Sequence, residues 1–327
     1  MLCALNTGGE VVFAFNAMRG GRYYCPDCGG VVIFRKGTKV KPHFAHKVKS
    51  VCLNNSAESM AHYNAKYVLA QQLLNNGYQV EVEQPIAQIQ QRPDLIVNGK
   101  YAIEIQFSSI PLEVLQARTI GLEDQGYEVI WVVPQPKFYQ SRMKLQQLQS
   151  VCVNPVSRRL ITWSEKRQSL VSIMGVQHIG GQWFVGSKRT MGIEELFRKS
   201  EEVSTPGLYK LSDRRVERYV QICRRQNSVH EPTLNAIYHL QWTQQQVNKV
   251  TGFILPNQLY IRTHPVAWQL QYCYMRKLGN EPFQLAHELF QFRHFIHTIP
   301  NVQEIGEQLI DHYSRVIQSI EMKEWSL

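Results

Sequence analysis

The stretch RPDLIVNGKYAIEIQF, Arg92–Phe107, predicts a β-hairpin that carries polar side chains where sheet-forming residues alone would serve. Two runs rich in β-branched residues flank Asn98–Gly99, a dipeptide typical of tight hairpin turns. In the second run, alternate side chains point to opposite faces, so Glu104 and Gln106 share one face while the apolar residues pack on the other. The hairpin therefore presents an acid and an amide side by side.

The length of the turn decides where Asp94 points. A two-residue loop would pair Asp94 with Ile103 on the packed side, whereas a three-residue loop, Asn98–Lys100, pairs Asp94 directly with Glu104. Directly opposed side chains have Cβ atoms about 4.5 to 5.5 Å apart, close enough to share a divalent cation. Without a cation, two like charges at that distance would destabilise the hairpin. We therefore predict the three-residue loop or an equivalent bulge.

A helix predicted from Ser56 to about Asn75 adds a third acid. Glu58, His62 and Lys66 are spaced at i, i+4 and i+8 and so form one polar stripe. Packed beside the hairpin, this helix would aim Glu58 and Lys66 at the same metal and phosphate. The predicted metal is Mg²⁺, which carboxylate oxygens and water hold and which activates water for in-line attack on a phosphate. Each residue alone is equally typical of a solvated surface, and only the combination predicts a site.

A second cluster lies nearer the N-terminus, where CPDCGG and PHFAH give Cys-x2-Cys, fourteen residues and His-x2-His. Two such pairs predict a structural Zn²⁺ site with tetrahedral geometry. Thiolate is a softer ligand than imidazole, so Cys52 competes with the histidines. The prediction is four ligands from five candidates, in which Cys25 and Cys28 are common to every set; the candidates are Cys25, Cys28, His43, His46 and Cys52. The alternative is a reduced thiol pair with packing histidines.

Charge and composition restrict the class of protein. The 327 residues carry a net charge of +10, and residues 1–55 hold eight Lys or Arg against two acids, which favours a polyanionic partner. Neither a signal peptide nor a run of about 18 apolar residues is present, so we expect no membrane span. Seven cysteines without an export signal predict a reducing, cytoplasmic setting.

The pattern along the chain predicts a multi-domain α+β protein. Residues 1–55 form a small zinc-binding basic β module, and residues 56–150 alternate helix and strand as an α/β core. Residues 151–190 form a β-rich connector, read either as an antiparallel extension or as a linker with hairpins. Residues 191–327 form an all-helical C-terminal domain.

One helix of the C-terminal domain, within DRRVERYVQICRRQ, is rich in arginine. Its five arginines could form a phosphate-contacting edge, but Asp213 and Glu217 interrupt the row. A solvated helix face is the interpretation that the sequence favours.

These motifs together resemble one known family. CPDC, HFAH followed by Cys52, ESMAH with Lys66, RPDLIV, AIEIQFSSI and VIWVV, within roughly residues 20–135, resemble the competence protein CoiA family. The middle domain of that family looks like the restriction-endonuclease-like PD-(D/E)xK nuclease fold. The resemblance implies that Glu58 is the helix glutamate of the nuclease core and that Asp94 and Glu104 bind the catalytic metal.

The resemblance also raises a question about Gln106, which stands where many nucleases of this fold carry a lysine. A neutral amide cannot supply the positive charge that a lysine lends to water and phosphate, and Lys66 is the candidate substitute.

Function follows from the resemblance as an expectation. It implies a Mg²⁺- or Mn²⁺-dependent deoxyribonuclease that processes internalised or recombining DNA during natural transformation. The expected partners are single-stranded or branched DNA, the recombinase and other transformation proteins. The alternative is a DNA-binding recombination mediator that keeps the nuclease fold without cutting.

Overall fold

The computed structural model describes residues 1–26, 28–37, 41–47, 59–198, 209–226, 228, 231–281, 288–297, 299 and 301–324. Within these ranges the chain forms a five-stranded sheet, a nine-stranded sheet and a two-stranded ladder, with eight α-helices and two short 3-10 helices. The mixed α+β class agrees with the sequence prediction. Of the predicted site residues, Cys52 and Glu58 lie outside the described ranges. Among the helices described, none has both the length and the hydrophobicity that crossing a bilayer requires.

The N-terminal residues form the predicted small β module. Its five short strands pair antiparallel in the order β2-β1-β3-β4-β5. Main-chain hydrogen bonds between Met1 and Phe44, at 3.0 and 3.1 Å, bring the last strand back against the start of the chain. The strands are β1 Cys3–Leu5, β2 Val11–Phe13, β3 Tyr23–Tyr24, β4 Val31–Arg35 and β5 His43–His46.

The central sheet has nine strands in the order β10-β11-β14-β13-β12-β9-β8-β7-β6. The pairs β8–β9 and β9–β12 are parallel, and the other pairs are antiparallel. The strands are β6 Val80–Val82, β7 Leu95–Val97, β8 Tyr101–Ile105, β9 Glu128–Pro134, β10 Phe138–Tyr139, β11 Arg142–Lys144, β12 Leu160–Ser164, β13 Ser169–Gly180 and β14 Trp183–Thr190.

Two helices, α1 Met60–Asn75 and α2 Leu112–Asp124, cover opposite faces of this sheet. Leu95, Val97 and Ile103 pack in one cluster with Leu69 of α1, whereas the alternate residues of the same hairpin pack with Leu122 of α2. The expectation that only one face of the hairpin packs is therefore wrong. Strand β8 belongs to a parallel pair, and such strands are usually covered by helices on both faces of the sheet. A polar residue on either face is then removed from water.

The predicted connector is an antiparallel extension of the sheet, one of the two readings of its sequence. Strands β12, β13 and β14 lie between β11 and β9 in the same nine-stranded sheet. A boundary at residue 150 therefore does not coincide with any break in the sheet. The short helix α3 Gln147–Val151 spans the proposed boundary.

The C-terminal region is mainly helical, but it is not all-helical as predicted. Strands β15 Tyr209–Lys210 and β16 Phe253–Ile254 form an antiparallel ladder. The helices pack on the extended sheet, since Ile179 of β13 lies in one hydrophobic cluster with Val216 and Leu270. The helices are α4 Asp213–Arg225, α5 Pro232–Leu240, α6 Gln244–Val250, α7 Pro265–Lys277 and α8 Val302–Glu324.

The turn between β7 and β8 has the predicted three-residue length. Val97 pairs with Tyr101, so Asn98–Lys100 form the loop, and the same register places Asp94 across from Glu104. The turn is tight, because Lys100 N donates to Val97 O at 3.1 Å. Asn98 and Gly99 take positive φ values of 52° and 62°, which Asn and Gly tolerate best.

Substitution of Gly99 tests how strongly the turn holds the hairpin register. Gly99→Ala should lower the free energy of unfolding by about 1 kcal/mol, because a Cβ is disfavoured at positive φ even where space is open. Urea denaturation measures the change. Gly37→Ala is the matched control, since Gly37 is also surrounded by open space but has no positive φ. Equal effects of the two variants would contradict the prediction.

Candidate active site and metal centre

Asp94 lies at a bend directly before β7, where its carboxylate can turn from the sheet towards α1. Its Oδ2 atom accepts a hydrogen bond of 2.8 Å from the backbone N–H of Ile105 on the neighbouring strand. This bond is possible only in the observed register, because Ile105 follows the residue opposite Asp94. The hairpin itself therefore fixes one oxygen of the carboxylate.

Two side chains of α1 make the other contacts of the Asp94 carboxylate. His62 Nε2 lies 3.1 Å from Oδ2, and Lys66 Nζ lies 3.3 Å from Oδ1. They are one turn apart on the helix, as the predicted i, i+4 spacing requires. Burial would raise the pKa of Asp94, but the His62 hydrogen bond and the Lys66 charge outweigh burial and hold that pKa at about 2. Asp94 is therefore ionised at any physiological pH.

Lys66 is not on the solvated face that the sequence alternative allowed. Its side chain is 2% exposed, and its ammonium lies between the carboxylates of Asp94 and Glu83. A buried lysine retains its charge only with such partners. The structure thus brings Lys66 into the site as a partner of carboxylates.

Glu83 is a site residue that sequence reasoning missed. It follows β6 directly, its backbone N–H donates to Asp94 O at 3.1 Å, and its φ of 51° is unusual for a residue with a side chain. Strained backbone of this kind concentrates at functional sites. The alternation in YQVEVEQPI indicates only an exposed acidic face, so no local signal marks Glu83.

Glu104 points to the other face of the sheet, towards α2. It is 1% exposed, and Arg118 Nη2 donates to both of its oxygens, at 2.6 and 2.7 Å. Burial raises the pKa of Glu104 to about 7, although the charge of Arg118 opposes the shift. The negative charge of Asp94 adds to the increase. Arg118 is the second residue that sequence reasoning missed.

The amide of Gln106 hydrogen-bonds to Ser108 and not to the two carboxylates. Its Nε2 atom donates to the backbone O and the Oγ of Ser108, at 2.7 and 2.8 Å. The amide therefore stabilises the end of β8.

A second cluster of ligand-type atoms lies in the N-terminal β module. Atoms of Cys25, Cys28 and His46 lie within 4.8 Å of one another, and Cys28 Sγ is 3.3 Å from His46 Nε2. Of the residues that the structure describes, this is the only group of three or more His, Cys, Asp or Glu side chains close enough to hold a metal. The loop between the cysteines and β4 is tight, since Gly29 N donates to Cys25 O at 2.9 Å with a φ of 66°.

His43 is a predicted zinc ligand that the structure does not bring to this cluster. His43 and His46 lie on one strand, β5, and residues three apart on a strand face opposite sides. The ring of His43 instead packs at 6.2 Å against Tyr63 of α1, and its Nδ1 is 3.0 Å from Lys41 O. Three of the five candidates thus come together, while Cys52 is outside the described residues.

Comparisons with known proteins identify the family of the chain. The family model described as "Competence protein CoiA, nuclease-like domain" matches residues 58–201, and "Competence protein CoiA, N-terminal domain" matches residues 14–55. Together the two matches cover more than half of the 327 residues. The chain belongs to the competence protein CoiA family. No solved structure matches the chain.

A curated relative in the CoiA family is "Competence protein CoiA" of Bacillus subtilis (strain 168). It is 30% identical over 161 residues, which are 46% of this chain and 43% of that protein. The chain thus aligns with less than half the length of this relative. The CoiA nuclease-like match extends past β14, in agreement with the continuous sheet, and the CoiA N-terminal match contains Cys25, Cys28 and His46.

The raised pKa of Glu104 predicts a specific pH dependence of stability. Because its pKa rises from 4.5 to about 7, the folded chain retains a proton that the unfolded chain releases. The free energy of unfolding should therefore fall by about 3 kcal/mol between pH 4.5 and 7, relative to Glu104→Gln. Urea denaturation of both proteins across this range measures the difference.

A second variant checks the cause of the shift. Arg118→Ala removes a charge that lowers the pKa of Glu104, so the loss of stability should continue to higher pH than in the wild type. Parallel curves for the wild type and Glu104→Gln would contradict the raised pKa.

Proposed function

We propose that the chain is a metal-dependent DNA-processing nuclease with a role in competence and transformation. The observation that carries the proposal is the strand register that sets Asp94 across from Glu104 at one end of a sheet in a nuclease-like domain. The substrate would be internalised or recombining DNA, single-stranded or branched, handled in the cytoplasm and passed to the recombinase. The net charge of +10 is consistent with a polyanionic substrate.

The donor atoms of the site fit a hard divalent cation. Mg²⁺ and Mn²⁺ favour oxygen ligands, and Mg²⁺ is usually held by one or two carboxylates with water and phosphate oxygens. Asp94 and Glu104 would hold the cation, and Glu58 would be a third acid. When bound, the cation would neutralise phosphate charge and lower the pKa of a bound water. Arg118 competes for Glu104, since both oxygens accept hydrogen bonds from it.

The two cations beside the carboxylates, Lys66 and Arg118, would have different roles. Lys66, between Glu83 and Asp94, would keep Asp94 ionised and oriented instead of contacting water or phosphate directly. Arg118 has a side chain that is 31% exposed, and both of its hydrogen bonds to Glu104 come from Nη2. Its guanidinium would supply the positive charge that Gln106 cannot, by contacting the phosphate of the bound DNA.

A second candidate function rests on Gln106. Because its amide bonds to Ser108 and carries no charge, the position that many nucleases fill with lysine lacks a cation here. This observation favours a recombination mediator that binds DNA on a nuclease fold without cutting it.

Cleavage by active-site variants separates the two functions. Labelled single-stranded and branched DNA, incubated with Mn²⁺, should be cut by the wild type and at least about 100-fold more slowly by Asp94→Ala and Glu104→Ala. Glu113→Ala, which changes an exposed glutamate of α2, is the matched control and should cut normally. Undiminished cleavage by both active-site variants would end the nuclease proposal, whereas binding without cleavage by the wild type would favour the mediator.

We further propose that Cys25, Cys28 and His46 hold a structural Zn²⁺, with Cys52 as the fourth ligand. The donor set supports zinc, because two thiolates and an imidazole are typical of structural zinc sites. The metal would stabilise a β module too small for a core of its own, and the basic residues around it would help to hold DNA.

Metal analysis tests the zinc proposal. Protein purified without chelator should contain about one equivalent of zinc, and Cys25→Ser and His46→Ala should lose most of it. His43→Ala is the control, because His43 faces away from the cluster, and it should keep its zinc. Less than about half an equivalent in the wild type, or equal losses in the two histidine variants, would contradict the proposed ligand set.

A further inference from the structure

Helix α4 presents a row of arginines on a rigid support. Its buried face, formed by Val216, Val220 and Cys223, packs in a cluster that includes residues of α5, α6 and α7. The ring of Tyr219 also stacks on His264 with 3.6 Å between centroids. A helix fixed on one side in this way presents its opposite face in a constant arrangement.

The opposite face of α4 is exposed and basic. Arg214, Arg218 and Arg224 line a shallow groove with Gln221 of the same helix and Gln244 of α6. Helical geometry spaces Arg214 and Arg218 about 6 Å apart along the axis, and Arg224 lies about 9 Å further on. Measured along the helix axis, the positive charges that line the groove therefore extend over about 15 Å.

The three arginines of the groove have no acidic partner among the described residues. No described carboxylate lies within 4.0 Å of the Arg214, Arg218 or Arg224 guanidinium. Glu217, the acid that lines the groove, accepts a hydrogen bond of 3.0 Å from Asn248.

Three other exposed arginines are ion-paired. Arg189 pairs with Glu195, Arg276 with Glu321 and Arg315 with Asp311. They provide a matched comparison for the groove, whose three guanidinium groups have no described carboxylate within the same distance.

We propose that this groove is a second nucleic-acid contact of the protein, which binds the phosphate backbone of single-stranded DNA without reading its sequence. Arginine matches phosphate oxygens in geometry and charge. Apart from Glu217, the groove is lined only by arginine and glutamine, so it offers no aromatic side chain on which bases could stack. The same absence of aromatic and aliphatic anchors is untypical of a protein-binding hot spot.

The groove deepens the proposed function, because it rests on DNA being the substrate. It lies outside the nuclease-like match at residues 58–201, so it would hold the strand while the carboxylates act on another part of it. DNA binding by the groove does not require cleavage, and the two proposals can therefore fail separately.

Salt-dependent binding tests the groove. Fluorescence anisotropy with labelled single-stranded DNA should show that the triple variant Arg214→Ala/Arg218→Ala/Arg224→Ala binds at least about tenfold more weakly at low salt. The slope of log K against log salt should become shallower by about 2, because each lost phosphate contact on a single strand removes about 0.7. Glu217→Gln, which removes the acid of the groove, should tighten binding.

The control carries the same change in net charge. Arg189→Ala/Arg276→Ala/Arg315→Ala removes three exposed, ion-paired arginines and should leave the slope within about 0.5 of the wild type. Circular dichroism and thermal unfolding confirm that both triple variants are folded.

Two results would overturn the proposal. One is an equal loss of DNA affinity in the two triple variants, which would mean that the arginines of the groove act only through the net charge of the protein. The other is arginine-dependent binding of polyglutamate together with arginine-independent binding of DNA, which would make the groove a site for an acidic protein segment. If the wild type binds DNA through the arginines but does not cleave it, the nuclease proposal fails and the proposal for the groove stands.

Discussion

A buried carboxylate must have a cation beside it, and the central part of the structure follows from this requirement. Asp94 and Glu104 are removed from water at the same end of one hairpin, where an unpaired charge would cost several kcal/mol. Each receives its cation from a different helix, Lys66 from α1 and Arg118 from α2. Because the helices lie on opposite faces of the sheet, the two ion pairs join the three layers at one point. The candidate site is therefore also a structural junction.

This arrangement sets opposite electrostatic conditions on the two carboxylates. Asp94 has a lysine, a histidine and a backbone N–H around it, and its pKa is held at about 2. Glu104 has one arginine and a deeper burial, and its pKa is raised to about 7. Near neutral pH Asp94 is fully ionised, whereas Glu104 is close to the midpoint of its titration. For a divalent cation, Asp94 would therefore be a ligand that is always ionised, whereas Glu104 would be a ligand only after it loses its proton.

The hairpin could be predicted from the sequence because its signals are local. Alternation places Glu104 across from Asp94 only with the three-residue loop, and the destabilising charge of two opposed carboxylates without a cation decided between the two turn lengths. Of the cations, Lys66 was expected at the site, but on a polar stripe aimed at metal and phosphate, whereas it lies among the buried residues of α1. Arg118 was not predicted, although it follows the buried Leu115 by three residues and so stands on the apolar side of α2. Glu83 had no such signal, because only the pairing of distant segments brings it to Lys66. The histidines show the same limit, since the spacing in HFAH is compatible with a shared metal until the segment is known to be a strand.

His43, which turns away from the Cys25, Cys28 and His46 cluster, connects that cluster to the helix that contacts Asp94. Its ring packs on Tyr63 of α1, and the hydroxyl of Tyr63 donates to Pro42 O at 2.6 Å. The same strand carries His46 on its other side, facing Cys28. Tyr63 is adjacent in sequence to His62, which holds Asp94 in place. A metal at the cysteines would therefore fix β5, β5 fixes the N-terminal part of α1, and α1 sets the charge of Asp94. Under the proposed function the small β module would thus support the Asp94 carboxylate as well as provide a basic surface, and its stability and the geometry of the candidate site would be coupled through one strand and one helix.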